Sequence, residues 1–346
     1  MKNLLLITVL TLSTLASLSA ARIFVAPSGD AAQDGNSWAT ATSLEHALSQ
    51  ANRNDEIWVK TGTYTLAVDA PRTASFVLKP GVRLYGGFAG TESDLDQREA
   101  ANVSVLSGER GNTETLADNL HTVVIMQSNG VDASILNGFT ITGGSGRNFK
   151  DGLTYGSAGG GLYIMAGDEA VDHMVANCVF TNNKAHNGGA VLIDTGRPFF
   201  SNCTFRANKA DFNGGAVYNK GTASVSNPIF KDCVFEENSS NSGAGITNNG
   251  TNGTANTLLI GCEFTDNTSL MNGAAIYNIT NDNGETDVVI ENCVFEGNDS
   301  ILGDDVSDNG VSKPIAARAK RNGGGTLRPG IRPRPRARRT AVARRR

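Results

Sequence analysis

The sequence predicts an all-β solenoid, a right-handed parallel β-helix of roughly 10–11 coils closed at its N-terminal end by a short helix. Three observations carry that expectation. A motif of the form Cys-x-Phe-x-x-Asn, opened by Asn in three copies, Asp232 in one and Gly261 in one, recurs five times, at Phe spacings of 25, 30, 29 and 31 residues. A second motif, Gly-Gly-Ala-Val or a near variant, follows the Phe of each of the first four copies after eight or nine residues. The segments around both alternate apolar with polar residues between Gly and Asn, which is strand rather than helix patterning.

Composition narrows the class. The chain has 346 residues, 40 of them Gly, and its side chains are 39% hydrophobic, 18% charged and 6% aromatic. It can therefore bury a core, and Gly without a three-residue period excludes collagen. Past residue 20 no apolar run is long enough to span a bilayer, so no transmembrane span is expected once the leader is removed. Residues 313–346 hold 13 Lys/Arg and no acid, which leaves 17 basic against 34 acidic side chains in residues 1–312, a net of −17. Such an acidic body offers no specific nucleic-acid site.

In chain order, residues 1–21 read as a secretory leader: Met1-Lys2, an apolar stretch over Leu4–Leu18, then Ser19-Ala20-Ala21. The mature chain then starts near Arg22 and works outside the cytoplasm. Residues 22–312 form the β-helix, with a cap over about 22–65. There Thr42-x-x-Glu45 is a capping box, and Leu44, Ala47, Leu48 and Ala51 make one apolar stripe at helical spacing. A helix of that shape covers the open end of the core and blocks edge pairing.

The repeats span about 137–300. Cys178 and Phe180 sit two apart and share one face of a strand, the interior face. Stacking turns the motif into ladders of Cys178, Cys203, Cys233, Cys262 and Cys293, and of Phe180, Phe205, Phe235, Phe264 and Phe295. Asn183, Asn208, Asn238, Asn267 and Asn298 follow in turns, where Asn tolerates left-handed backbone and bonds its own backbone. Five Cys in a secreted chain allow disulfides with one thiol over. In-register parallel strands point neighbouring thiols the same way, however, so stacked reduced thiols are expected. In the second motif Leu162, Val191, Val217, Ile246 and Ile276 form the inward column. Alternation turns the next column outward, and its Tyr163, Tyr218 and Tyr277 are the candidate ligand-binding residues, an exposed stripe for stacking on sugars or a partner's flat surface; with the parity reversed they are core instead. From Lys313 the chain is an Arg/Pro-rich tail expected to be disordered, either an electrostatic contact for anionic polymers or an unstructured extension. Residues 300–312 offer no cap, so the last coil is expected to present unpaired edges.

The pairing of Phe-x-x-Asn with Gly-Gly-Ala-Ile/Val over about 137–300 resembles the repeats of chlamydial polymorphic outer membrane proteins and of bacterial surface proteins of the pectin-lyase-like superfamily. Ile23-Phe24-Val25, Asp34-Gly35-x-Ser37-Trp38, Asp55-Glu56-Ile57-Trp58-Val59 and the Val82–Glu92 segment are similar to the opening of secreted bacterial β-helices. The resemblance implies a non-enzymatic, adhesin-like protein, secreted, extracellular or on the outer-membrane surface of a bacterium, that binds a surface glycan or a protein partner. The same superfamily hosts polysaccharide lyases and glycoside hydrolases, which is the alternative; a structural surface-layer component is a third reading.

The residues do not assemble lyase chemistry. Asp151, Asp168, Asp172 and Asp194 flank coils on turns, Asp304-Asp305 lies beyond the last repeat, and no acid column converges with an Arg or Lys base. His46, His121, His173 and His186 are scattered and no Cys-x-x-Cys occurs. No catalytic residue, metal ligand or cofactor is therefore assigned, and weak calcium binding at acidic turns stays open.

Overall fold

The computed structural model describes residues 20–146, 159–165, 171–281, 283–301, 305–309 and 317–318. The expected leader lies outside them except for Ala20 and Ala21, and the expected tail except for Ala317–Arg318. Short alternating segments stack coil on coil into four long parallel sheets, numbered here I, II, III and IV in the order a coil visits them: I holds ten strands, II eight, III six and IV eight, and a two-stranded sheet pairs Val225–Ser226 with Thr254–Ala255. One coil shows the plan: Met174–Ala176 joins sheet I, Val179–Thr181 sheet II, Lys184–Asn187 sheet III and Val191–Ile193 sheet IV. The ten strands of sheet I correspond to ten coils.

Single left-handed residues make the bends. Between sheets I and II they are Asn177, Asn202, Asp232, Gly261 and Asn292, with φ from 52° to 63°. These open the repeated motif and are the residue types that tolerate such a backbone. Between sheets II and III the position is held by Asn182, Ala207, Glu237, Asp266 and Gly297.

Register stacks Phe180, Phe205, Phe235, Phe264 and Phe295 directly on one another, with ring centroids 4.5–5.1 Å apart and planes within 10°. Phe200 and Phe230 from sheet I stack at 4.6 Å and meet that column edge-on. Each ring taken from water contributes roughly 2–3 kcal/mol, which makes this column the centre of the core. The five Cys are reduced; four are buried and Cys293 is half-buried. Each thiol donates to the carbonyl two residues earlier, at 3.2–3.6 Å. Burial pushes the Cys203 thiol well above its ordinary value, so it stays protonated.

The Asn ladder differs from expectation. The preceding residue takes the left-handed backbone, and Asn183, Asn208, Asn238 and Asn267 point inward and are buried. The Asn208 Oδ1 accepts from Asn183 N at 3.1 Å and Asn183 Nδ2 at 3.2 Å, while Asn208 Nδ2 donates to Phe180 O at 2.9 Å. The pattern repeats to Asn298. A bend that turns a polar side chain inward strands backbone groups of adjacent coils, and a primary amide carries the donors and acceptor that satisfy them.

The capping helix is Leu44–Gln50, and Leu44, Ala47, Leu48 and Ala51 are buried against the first coils. Its N-cap is Ser43, whose Oγ accepts from His46 N at 3.3 Å, not Thr42. Thr42 is buried, donating its hydroxyl to Asp30 O and its N–H to Phe24 O, which leaves no capping box. At the other end, Val306–Asn309 pairs with Ile276–Ile279 and Ala317–Arg318 with Val288–Glu291. Stacking therefore continues past residue 300 in sheets I and IV and reaches into the segment expected to be disordered.

Candidate functional site

Tyr163, Tyr218 and Tyr277 lie in register on sheet IV, separated from the main core that holds Leu162, Val191, Val217, Ile246 and Ile276. They are only 5%, 9% and 6% exposed, so the accessible stripe expected from alternation is not there. The cause is the glycine bend between sheets III and IV, which folds back over the column. At Gly243, with φ +64°, an added Cβ would lie 3.0 Å from Tyr277 Cβ and 2.1 Å from Thr247 Oγ1. The phenols are drawn into a polar network instead. Tyr163 OH donates to Asp194 Oδ2 at 2.9 Å, Lys220 Nζ to Asp194 Oδ1 at 2.6 Å, and Asn249 Nδ2 to Tyr218 OH at 2.7 Å.

A cleft of about 600 Å³ lies elsewhere, over the bend between sheets I and II. One wall is the excursion 89–103. Its start is fixed by Glu92, whose carboxylate accepts from the N–H groups of Ala89, Gly90 and Thr91 at 2.6–2.9 Å. Burial alone would raise that carboxyl, but the backbone donors hold it below its usual range. Leu95 packs against the Trp58, Tyr85 and Phe88 cluster outside sheet I, which seats the wall.

The floor is a ladder of side chains across the coils. Arg98 Nη1 donates to Asn137 Oδ1 at 3.0 Å, Asn177 Nδ2 donates to the same oxygen at 3.4 Å, and Asn202 Nδ2 donates to Asn177 Oδ1 at 2.7 Å. Arg98 is also held by Leu95 O and Gly86 O at 3.0 and 2.9 Å. Thr140 and Thr204 of sheet II flank this ladder. Asn177 spends one N–H and one carbonyl lone pair on its neighbours, and Asn202 spends one N–H. The exposed Asn177 and Asn202 keep the others for a ligand. Sequence reading did not single out these residues, although Asn177 and Asn202 open the repeated motif and left-handed Asn in successive coils was the available signal.

Among the described residues the acids singled out above do not converge. Asp172 is tied to Arg197 by two contacts of 3.1 Å, and Asp194 to Lys220. Asp151, Asp168 and Asp304 lie outside the described residues. Among the described residues no group of three or more His, Cys, Asp or Glu could hold a metal. His173 is buried, its Nδ1 accepting from Ser134 N at 3.1 Å, and burial holds the imidazole down at about 4, neutral at pH 7.

A family model described as right handed beta helix region matches residues 118–295. No curated protein sequence matches. Among solved structures, pectate lyase Pel9A is 12% identical, with a TM-score of 0.45 over 88% of this chain and 83% of that one. The PL6 family alginate lyase AlyGC is 13% identical, with a TM-score of 0.41 over 86% of this chain and 39% of that one. The Escherichia coli protein ybhc is 14% identical, with a TM-score of 0.36 over 90% and 88%.

Proposed function

This chain belongs to the right-handed beta helix family, and we propose that it is a secreted or cell-surface, adhesin-like protein that holds a glycan without turning it over. The observation that carries the reading is the cleft of about 600 Å³ whose floor is the Arg98, Asn137, Asn177 and Asn202 ladder. Amides and hydroxyls on a rigid solenoid match sugar hydroxyls without a large ordering cost. The resemblance of the repeats to those of the polymorphic outer membrane proteins supports surface display. Binding in such a cleft calls for no cofactor.

A lyase is the second reading, and it would sit on sheet IV. There Lys220 and Tyr163 meet through Asp194, groups able to exchange a proton with substrate. Incubating the full chain with pectin, alginate and neutral glucans separates the two. Retention without unsaturated products or new reducing ends, lost in an Asn177→Ala/Asn202→Ala variant, is the expected result. Turnover abolished by Lys220→Ala would establish the lyase instead.

A further inference from the structure

We infer that the cleft selects uncharged, hydroxyl-rich glycan chains lying along the solenoid axis, across the coils, and rejects polyuronates. This rests on the glycan reading above and specifies its substrate class. Three features of the ladder lead to it.

The first is donor and acceptor balance. After bonding along the ladder Asn177 retains one N–H and one carbonyl lone pair, and Asn202 retains one N–H and its carbonyl oxygen. A hydroxyl is both donor and acceptor and satisfies the pair at one rung. A carboxylate only accepts, and would leave each amide oxygen facing a negative charge.

The second is charge. Among the described residues Arg98 is the one cation lining the cleft, and three of its five donors already go to Leu95 O, Gly86 O and Asn137 Oδ1. Asp96 and Glu99 stand exposed on the wall beside it. One rung beyond Asn202 the column continues as the exposed Asp232. Within the cleft a chain carrying a carboxylate on every ring would meet the Asp96 and Glu99 carboxylates against the one Arg98 guanidinium. The acidic body adds a repulsive long-range field.

The third is repeat and surface. The rungs follow one another at the strand spacing of about 4.8 Å, so equivalent amides recur along the axis rather than along a strand. Val103, 45% exposed, and Val179 offer apolar surface beside the ladder for the C–H faces of sugar rings.

Calorimetric titration of the full chain with cellohexaose, mannohexaose and hexagalacturonate, with and without calcium, tests the assignment. A neutral hexamer is expected to bind with little salt dependence, and hexagalacturonate not to bind. Asn177→Ala and Asn202→Asp are each expected to weaken the neutral ligand about tenfold, the value of one lost hydrogen bond. Thermal melts report whether these variants fold, and Val103→Glu, which alters the wall and leaves the ladder intact, carries the test if they do not. Hexagalacturonate binding tighter than both neutral hexamers, through the same residues, overturns the inference and leaves the glycan reading standing. Neutral binding indifferent to all three substitutions overturns the placement. Binding by none of the three probes overturns both.

Discussion

At the scale of single residues, the inward amides of the Asn column are buried because each is answered by specific partners in the neighbouring coils. Asn238 is fully buried: its Oδ1 takes two donors from Asn208, and its Nδ2 serves Phe205 O. Asn238→Ala leaves those donors and that carbonyl unpaired, at about 1–3 kcal/mol each before relaxation. Urea unfolding should show a loss of about 3 kcal/mol, and a loss under 1 kcal/mol would contradict the ladder. His173 gives a pH dependence with a definite sign. Its folded value, about 4, lies below the ordinary 6.5, so the unfolded chain takes the proton first on acidification. The stability it supports is whole above pH 6.5 and is lost as pH falls towards 4, by at most about 1.4 kcal/mol per unit. Asp172 opposes this weakly. Denaturant midpoints between pH 7 and 5 should flatten in His173→Gln; a slope identical to wild type would refute this role.

At the scale of elements, the bends matter as much as the strands. Ala207 adopts φ 53° and Glu237 φ 56° in a column whose other members are Asn, Asp and Gly. Left-handed backbone costs an L-residue roughly 1–2 kcal/mol, partly offset by the extra unfolded freedom of Gly. Ala207→Gly should therefore raise stability by about 0.5–1 kcal/mol, read as a higher melting temperature. A lower one would mean that the methyl group packs more favourably than the backbone strain costs. At the capping helix, Ser43→Ala removes the acceptor for His46 N and should cost about 1 kcal/mol, whereas Glu45→Ala, outside any capping box here, should cost little.

At the scale of the molecule, a stack in which each coil touches only its neighbours is firm in the middle and weaker at its ends. Sheet II ends at Val294–Glu296, and there Cys293 and Phe295 are half-buried, whereas their counterparts in earlier coils are buried. A water-soluble disulfide reagent should label Cys293 first in the native protein. Unfolding in denaturant without reductant should release all five thiols. Two disulfides in the unfolded chain would end the reduced-ladder description. Backbone hydrogen exchange should be slowest around the stacked Phe205 and Phe235 and quicken towards residue 296, with Ile276–Ile279 kept protected by its partner Val306–Asn309.

The repeats made the solenoid, its inward Phe and Cys columns and the apolar stripe of the capping helix legible from residue order alone. The physical reason is that a period shared by two motifs forces equivalent residues into register, and period-two alternation sorts them by face. What residue order could not decide depends on neighbours distant in the chain. Asn183 reads as a turn residue until the left-handed Asn182 before it directs the amide inward to partners at Ile141 and Asn208. Tyr218 reads as exposed because alternation says which side of the sheet a residue takes, not what lies over it. Arg98, Asn137, Asn177 and Asn202 come from three coils and an excursion, and only the stacking of those coils brings them to one floor.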